Sequence, residues 1–488
     1  MTKTATSRAL AASLSAIVGS AHAVSLNPNG MGQVLLYPYY TVNAGQQTLL
    51  TIANTASVGK VVKLRFLEAY NGRTVLDYNV FLSPHDVYST VVFKLSDAGL
   101  SGSGAAIFSD DHTCTAPQLA QGPLPNGAHY QQFLPYAYTG SGTDTGPTSD
   151  ARTNEGHIEV IAMDDIVPGS TLDTDVKHVN GVPPTCSHAE SDLETLANAT
   201  AVPTSGLFGS ASIVDVAEGT FYAYNAEALE GFTAVKLTTQ LADGQPNLAS
   251  VNDAGGSTAT ARRILDGVDV NATFPAAHAI DAVSAVLAAD ALYNDYVIST
   301  DGSAGTDWVV TFPTKRYYVD KAILIGQAIP PFTHLFGAVE SGNGPGLSCV
   351  DIGYDVFDRE ERTVNPNGCS IDPCPPAPLP AFCYETNVLR FFASSDVLGS
   401  QLGPQVRVNP FTAGLLQIHL DDSSEPHAMN AAANGDVYHG LPAIGFAATK
   451  YINGSVPLSG GGNALANYSG TYRHRATAKC TNAAGACS

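Results

Sequence analysis

"KVVKLRFLEAY" (Lys60–Tyr70) decides how this chain is read. Val62, Leu64 and Phe66 fall on one side of an extended backbone, and Lys63 and Arg65 on the other. Apolar residues at every second position mark a half-buried strand, because successive side chains of a strand point to opposite faces. "NGR" (Asn71–Arg73) follows as a turn signal. "TVLDYNVFLSPHDVYSTVVF" (Thr74–Phe93) supplies two more strands, broken at Ser83-Pro84. Upstream, "TLLTIANT" (Thr48–Thr55) alternates Leu49, Thr51 and Ala53 against Leu50, Ile52 and Asn54. Short strands separated by turn signals predict a mainly β fold of immunoglobulin-like β-sandwich domains.

"GQVLLYPYYTV" (Gly32–Val42) opens this β pattern. Leu35, Tyr37 and Tyr39 alternate with Val34, Leu36 and Tyr40, so the tyrosines are divided between two faces and make no flat binding platform. Pro38 has no N–H for a ladder and is tolerated mainly on an edge strand or at a bulge. The segment therefore reads as an N-terminal edge strand. Tyr37, Pro38 and Tyr39 become the candidate seam for self-assembly by strand addition.

Further along, residues 96–150 are rich in Gly, Ser, Thr, Pro and Asp and read as a long surface insertion. "GHIEVIAM" (Gly156–Met163) resumes the β pattern, and "ASIVDVAEGTFYAYNAEAL" (Ala211–Leu229) reads as two strands about Glu218-Gly219. "PAAHAIDAVSAVLAADALYNDYV" (Pro275–Val297) has Ile280, Val283, Leu287 and Ala291 at helical spacing, with Pro275 suited to open a helix. "DWVVTFPTKRYYVDKAILI" (Asp307–Ile325) returns to strands and carries the sole tryptophan, Trp308, as a core residue. "DPCPPAPLPAFC" (Asp372–Cys383) suits polyproline-like backbone. "NVLRFF", "GLLQIHL" and "AIGFAATKYING" add strands. The expected organisation is a signal peptide over 1–23, an N-terminal β-sandwich domain with long insertions over 24–235, a second β-rich domain over 236–475 with an α-helix at about 275–297 and a Cys/Pro-rich loop, and a tail over 476–488.

The signal is read from Lys3 and Arg8, the short apolar run Ala9–Gly19, and the small-x-small pattern Ala21-His22-Ala23. No later run approaches the roughly 18 apolar residues of a membrane span. Removing the signal takes the formal charge from −21 to −23, which argues against nucleic acid and anionic membranes as partners. The eight cysteines are Cys114, Cys186, Cys349, Cys369, Cys374, Cys383, Cys480 and Cys487. An even count in an exported chain reads as disulfides, and no CxxC or CxxCH occurs. Proximity suggests Cys480–Cys487, Cys114–Cys186, and two bridges of open pairing among Cys349, Cys369, Cys374 and Cys383.

Chemistry-bearing motifs are few. "GGSTA" (Gly255–Ala259) lacks the final glycine of a nucleophile elbow. HExxH, Walker and dinucleotide patterns are missing from the sequence. "HLDDSSEPHAMNAAANGDVYH" (His419–His439) gathers His419, His427, His439, Asp421, Asp422, Glu425 and Asp436 at no known metal-ligand spacing, so a solvated loop is expected. "DIGYDVFDREE" (Asp351–Glu361) offers Asp351, Asp355 and Asp358 as hard oxygen ligands for calcium, the one cofactor the sequence suggests.

"GQVLLYPYYTVNAGQQTLLTIANT", "KLRFLEAYNGRTVLDYNVFLSP", "EGHIEVIAM", "TDWVVTFPTKRYYV" and "LANYSGTYRHR" together resemble an uncharacterised group of exported bacterial proteins, over much of the mature chain. The resemblance brings no activity with it and implies an exported surface or extracellular protein. The expected role is non-enzymatic, in surface structure, adhesion or matrix assembly, with other copies or cell-surface components as partners. The alternatives are a secreted carbohydrate-binding or carbohydrate-active protein and a calcium-stabilised surface-layer component. The expected address is extracellular or cell-surface, with the periplasm as alternative.

Overall fold

Lys60–Glu68 forms a strand, as its alternation requires, but all nine of its residues are buried. The computed structural model describes residues 22–487 apart from 125–126, 188, 190–197, 239–244, 339–344, 364–379, 392–395 and 422–425. Most of the signal reading, residues 1–21, falls outside these, as do Cys369, Cys374, Asp422 and Glu425.

The Lys60–Glu68 strand pairs antiparallel with Glu155–Ile166 on one side and Thr74–Leu82 on the other. They belong to a ten-stranded sheet. Val62, Leu64 and Phe66 face a core shared with a six-stranded sheet that contains Gln47–Asn54, Val87–Lys94 and Leu207–Asp215. On the opposite face, Val34, Leu36, Val61, Ile161 and Met163 belong to a core that includes Val283, Leu287 and Phe312 from the second half of the chain. A sheet covered on both faces buries both sides of its strands, which is why the expected solvent side of Lys63 and Arg65 is not exposed.

Val34–Thr41 is an interior strand, which corrects the edge reading. It pairs with Glu155–Ile166 on one side and Glu227–Glu230 on the other. Tyr37, Pro38 and Tyr39 are buried and cannot form an assembly seam. Pro38 is accommodated at a bulge. The partners Tyr40↔Gly156 and Tyr37↔Ile158 leave one extra residue on the proline-bearing strand. On the other side the pairing covers only Val34–Leu36, so no partner calls on the missing N–H of Pro38. Gly156 sits at the bulge because a Cβ there would stand 1.9 Å from the Leu67 carbonyl oxygen.

The ten-stranded sheet also crosses the expected boundary at 235/236. Thr258–Leu265 pairs parallel to Ala23–Leu26, and Val268–Pro275 closes that end of the sheet. The rest of the second half packs a five-stranded sheet with Ala304–Thr311 at its centre against a four-stranded sheet with Ala413–His419 and Ala291–Val297. Trp308 is fully buried between them, as expected of a core residue. These sheets establish the mainly β class. The immunoglobulin-like topology does not follow from them, since their sixteen strands in the first two layers exceed the roughly seven to nine of that fold.

The helix expected over Pro275–Val297 is confined to Ile280–Leu287. Ala291–Val297 is instead a strand paired over its full length with Ala413–His419. Leu292, Tyr293, Tyr296 and Val297 suit a pleated, packed surface better than a helix. Disulfides join Cys114–Cys186, Cys349–Cys383 and Cys480–Cys487. Among the described residues, no helix is long and apolar enough to cross a membrane.

Candidate functional site

The polar faces of the two central strands meet across the ladder. Arg65 stands opposite Glu159 in register, and its guanidinium donates to the Glu159 carboxylate at 2.5 Å. Both are buried. Burial works against the Arg65 charge, but Glu159, Tyr317 and Asp77 together outweigh it and hold the guanidinium protonated. The Glu159 carboxyl is itself pushed up by burial. His157, on the same strand face, is held down to about 3 by burial and by Arg65, so it is neutral. Its Nδ1 lies 3.4 Å from the Thr386 hydroxyl, on a strand of the second half.

A second cluster grows from the turn after Lys60–Glu68. The Glu68 carboxylate accepts the backbone N–H groups of Tyr70, Asn71 and Arg73 at 2.7, 3.1 and 2.9 Å. Gly72 is required here: its φ is +59°, and a Cβ would stand 2.7 Å from the Glu385 carboxyl carbon. Arg152 approaches Glu68 with a two-point clasp, Nε to Oε2 at 2.8 Å and Nη2 to Oε1 at 3.0 Å. Its Nη1 and Nη2 also donate to Asp144 at 2.7 and 2.8 Å, and Nη1 reaches the Pro147 carbonyl at 3.2 Å. These contacts use every N–H-bearing nitrogen of the guanidinium. The ring of Tyr138 lies 4.3 Å from its centre.

Arg73 carries the network into the second half, donating to Asp320 at 2.8 Å and to the carbonyls of Ala137 and Gly142 at 2.7 and 2.9 Å. Asp320 also accepts from Arg316 at 3.1 Å. Beside them, the buried Lys315 ammonium donates to the carbonyls of Ser348 and Tyr384 at 2.6 and 3.2 Å. Burial pulls Lys315 down to about 7, with Glu385 opposing, and the same burial pushes Glu385 well above the usual carboxylate range.

The network therefore joins the central sheet to residues 312–320 and 384–386. Arg65, Arg73, Arg152 and Arg316 each bond a carboxylate in the interior, whereas Lys315 is held by carbonyl oxygens and Glu385 Oε2 is buried without a hydrogen bond among the described residues. General acid–base work needs a reacting group within hydrogen-bond reach of such residues. A cleft of about 750 Å³ lined by Lys63, Asp77, Tyr136 and Arg316 meets the network at Arg316, whose guanidinium is already bonded to Asp320. The arrangement is suited to cohesion between the halves, with four arginines fixed by oriented carboxylates.

The structure disperses the residues that the sequence grouped. Asp355 and Asp358 lie three apart on the strand Gly353–Asp358 and so face opposite sides. Asp355 binds His419 at 2.8 Å, whereas Asp358 accepts from Arg362 at 2.6 Å and from the N–H groups of Glu360 and Arg362. Asp351 lies on a separate short strand paired with Ala381–Phe382. The calcium triad is therefore not assembled. The histidine cluster also divides. His419 turns to Asp355, His427 Nδ1 lies 2.8 Å from the Pro331 carbonyl, and His439 contacts Asp421 at 3.4 Å. Among the described residues, the one group with metal-like proximity is Asp436 with Cys480 and Cys487. Those sulfurs are bonded to each other and offer no thiolate.

Sequence reasoning missed Glu68, Arg152, His157, Glu159, Lys315 and Glu385, and also Glu155, whose buried carboxylate accepts the Tyr39 hydroxyl at 2.9 Å. One signal was available: Glu155 and Glu159 fall at the same two-residue period as Lys63 and Arg65 and carry the complementary charge. No protein-family model, curated protein or solved structure matches the chain.

Proposed function

We propose that this chain is a non-enzymatic extracellular or cell-surface β-protein acting in surface structure or adhesion. The observation that carries the reading is the buried ion network between the halves. Its four arginines are each bonded to a carboxylate, so they serve a rigid body more readily than a turnover site. The three disulfides suit an oxidising compartment, and the acidic charge suits solubility outside the cell. Export itself is part of the proposal and rests on the N-terminal pattern and the resemblance to exported bacterial proteins.

Assembly by strand addition would use a terminal strand. Val268–Pro275 ends the ten-stranded sheet, with exposed Ile264 and Val268 at its hairpin; Ala433 and Asn434 already bond the carbonyls of Thr273 and Asn271, which leaves the hairpin end of the strand for such pairing. The test is size-exclusion chromatography and electron microscopy of the purified mature chain, together with binding to whole cells. Assembly or cell binding supports the reading, and a strict monomer that binds no cells overturns it. Carbohydrate binding is the second reading, favoured by a tyrosine-lined cleft between the five-stranded and four-stranded sheets.

A further inference from the structure

Ile444–Tyr451 and Tyr468–Arg473 are neighbouring antiparallel strands of the five-stranded sheet. Their register places Ala447 opposite Tyr472, Thr449 opposite Gly470 and Tyr451 opposite Tyr468. These six residues share one face, because alternate strand positions do. At its inner end the face is closed by Ala447, which is fully buried in the core with Trp308. Farther out the two packed sheets part, and Tyr451, Tyr468 and Tyr472 are 43%, 64% and 56% exposed.

The opening is a cleft of about 610 Å³, a size suited to a small-molecule or oligomer subsite. Its floor is polar: Thr449 stands 3.2 Å from the Thr306 hydroxyl, which donates to the Val297 carbonyl. Gly470, with no side chain, lies on this floor between the rings. The opposite wall comes from Asp295 and Leu415 on the four-stranded sheet and from Arg359 just beyond it.

Charge narrows the ligand class. Asp358 also lines the cleft, but Arg362 and two backbone N–H groups occupy its carboxylate. That leaves one exposed acid, Asp295, and one exposed base, Arg359, which balance. A net-neutral site with exposed rings and a hydroxyl-bearing floor suits a ligand with apolar C–H faces and hydroxyl edges. Tyrosine provides both parts of that recognition, an apolar ring and a polar tip.

We propose that this cleft binds a neutral glycan chain, with Tyr451, Tyr468 and Tyr472 as stacking surfaces and Asp295 and Arg359 as hydroxyl grips. The inference deepens the adhesive reading and rests on it for biological purpose, not for its geometry. The test is affinity electrophoresis of the mature chain in gels containing soluble xylan, β-glucan or mannan. Wild type should be retarded by at least one of these polysaccharides. Tyr468→Ala/Tyr472→Ala should weaken retardation about tenfold or more, and Asp295→Asn or Arg359→Ala should weaken it less. Tyr136→Ala, which removes an exposed ring elsewhere, should behave as wild type. Circular dichroism and thermal melting confirm that the variants remain folded, as expected for exposed rings. No retardation of wild type in any of the three gels overturns the proposal, and so does full retardation of the folded tyrosine double variant. Cell binding by the same proteins separates the two readings. Cell binding by a chain that none of the three gels retards removes the glycan cleft and keeps adhesion, whereas tyrosine-dependent retardation without cell binding keeps the cleft and removes adhesion.

Discussion

Arg152→Met tests whether the ion network holds the halves together. The substitution keeps much of the aliphatic volume and removes every guanidinium donor. Glu68 retains its three backbone N–H partners, and Asp144 retains the N–H of Gly146 and a longer contact to Arg73 at 3.7 Å. Both carboxylates lose their principal cation while buried. Breaking a buried pair by removing one partner costs about 3–5 kcal/mol, and the surviving N–H bonds place this case near the lower end, about 3 kcal/mol. Urea unfolding of the disulfide-bonded mature chain, followed by Trp308 fluorescence, is the assay. Trp308 reports on the second half, whereas Arg152 belongs to the first. The Trp308 midpoint should therefore fall if the network couples them. Arg152→Met/Glu68→Gln/Asp144→Asn should recover much of the loss, because no unpaired charge is left behind. A single substitution costing under about 1 kcal/mol, or a triple variant as unstable as the single one, would refute the reasoning.

The remaining expectations concern pH, covalent links, metal and topology. His474 accepts at Nδ1 from Asn294 at 3.1 Å and donates from Nε2 to the Val309 carbonyl at 3.0 Å, and burial holds it down to about 4. A folded value below the unfolded one of about 6.5 gives stability that is full above pH 6.5 and lost as pH falls toward 4. His474→Gln should show a shallower fall across that window in urea midpoints, and parallel curves would count against the assignment. Cys349→Ser/Cys383→Ser opens a link across 34 residues and should lower stability by roughly 2–5 kcal/mol in the same assay. Chelation with EDTA should leave the melting temperature unchanged, because Asp355 and Asp358 are committed to His419 and Arg362. A fall on chelation would restore calcium. Deleting residues 33–42 should abolish folding, seen as loss of the circular-dichroism signal, and a folded monomer would contradict the interior place of that strand.

Much of this fold was legible one strand at a time. The alternation in Lys60–Tyr70 correctly assigned Val62, Leu64 and Phe66 to one face. It could not show what covers the other, because the cover comes from residues 312–320 and 384–386, far along the chain. Periodicity reads polar positions as solvated unless a complementary set is found, and here it lay in Glu155 and Glu159. The proline rule permitted two homes for Pro38, an edge or a bulge. Tyrosines on both faces of that strand favour the bulge, since a strand apolar on both sides belongs inside a doubly covered sheet. The calcium reading required Asp351, Asp355 and Asp358 to converge; on a strand, the odd spacing of three between Asp355 and Asp358 sends them apart. The same parity argument works in the other direction at the cleft. Tyr468 and Tyr472 are four apart, so any strand over "YSGTYR" must place both rings on one face. What the sequence could not supply was the opposite wall, because Asp295 and Arg359 come from elements more than a hundred residues away. Local spacing thus determined which side chains travel together, and the long-range packing of sheets determined whether each pair met a partner, an interior or solvent.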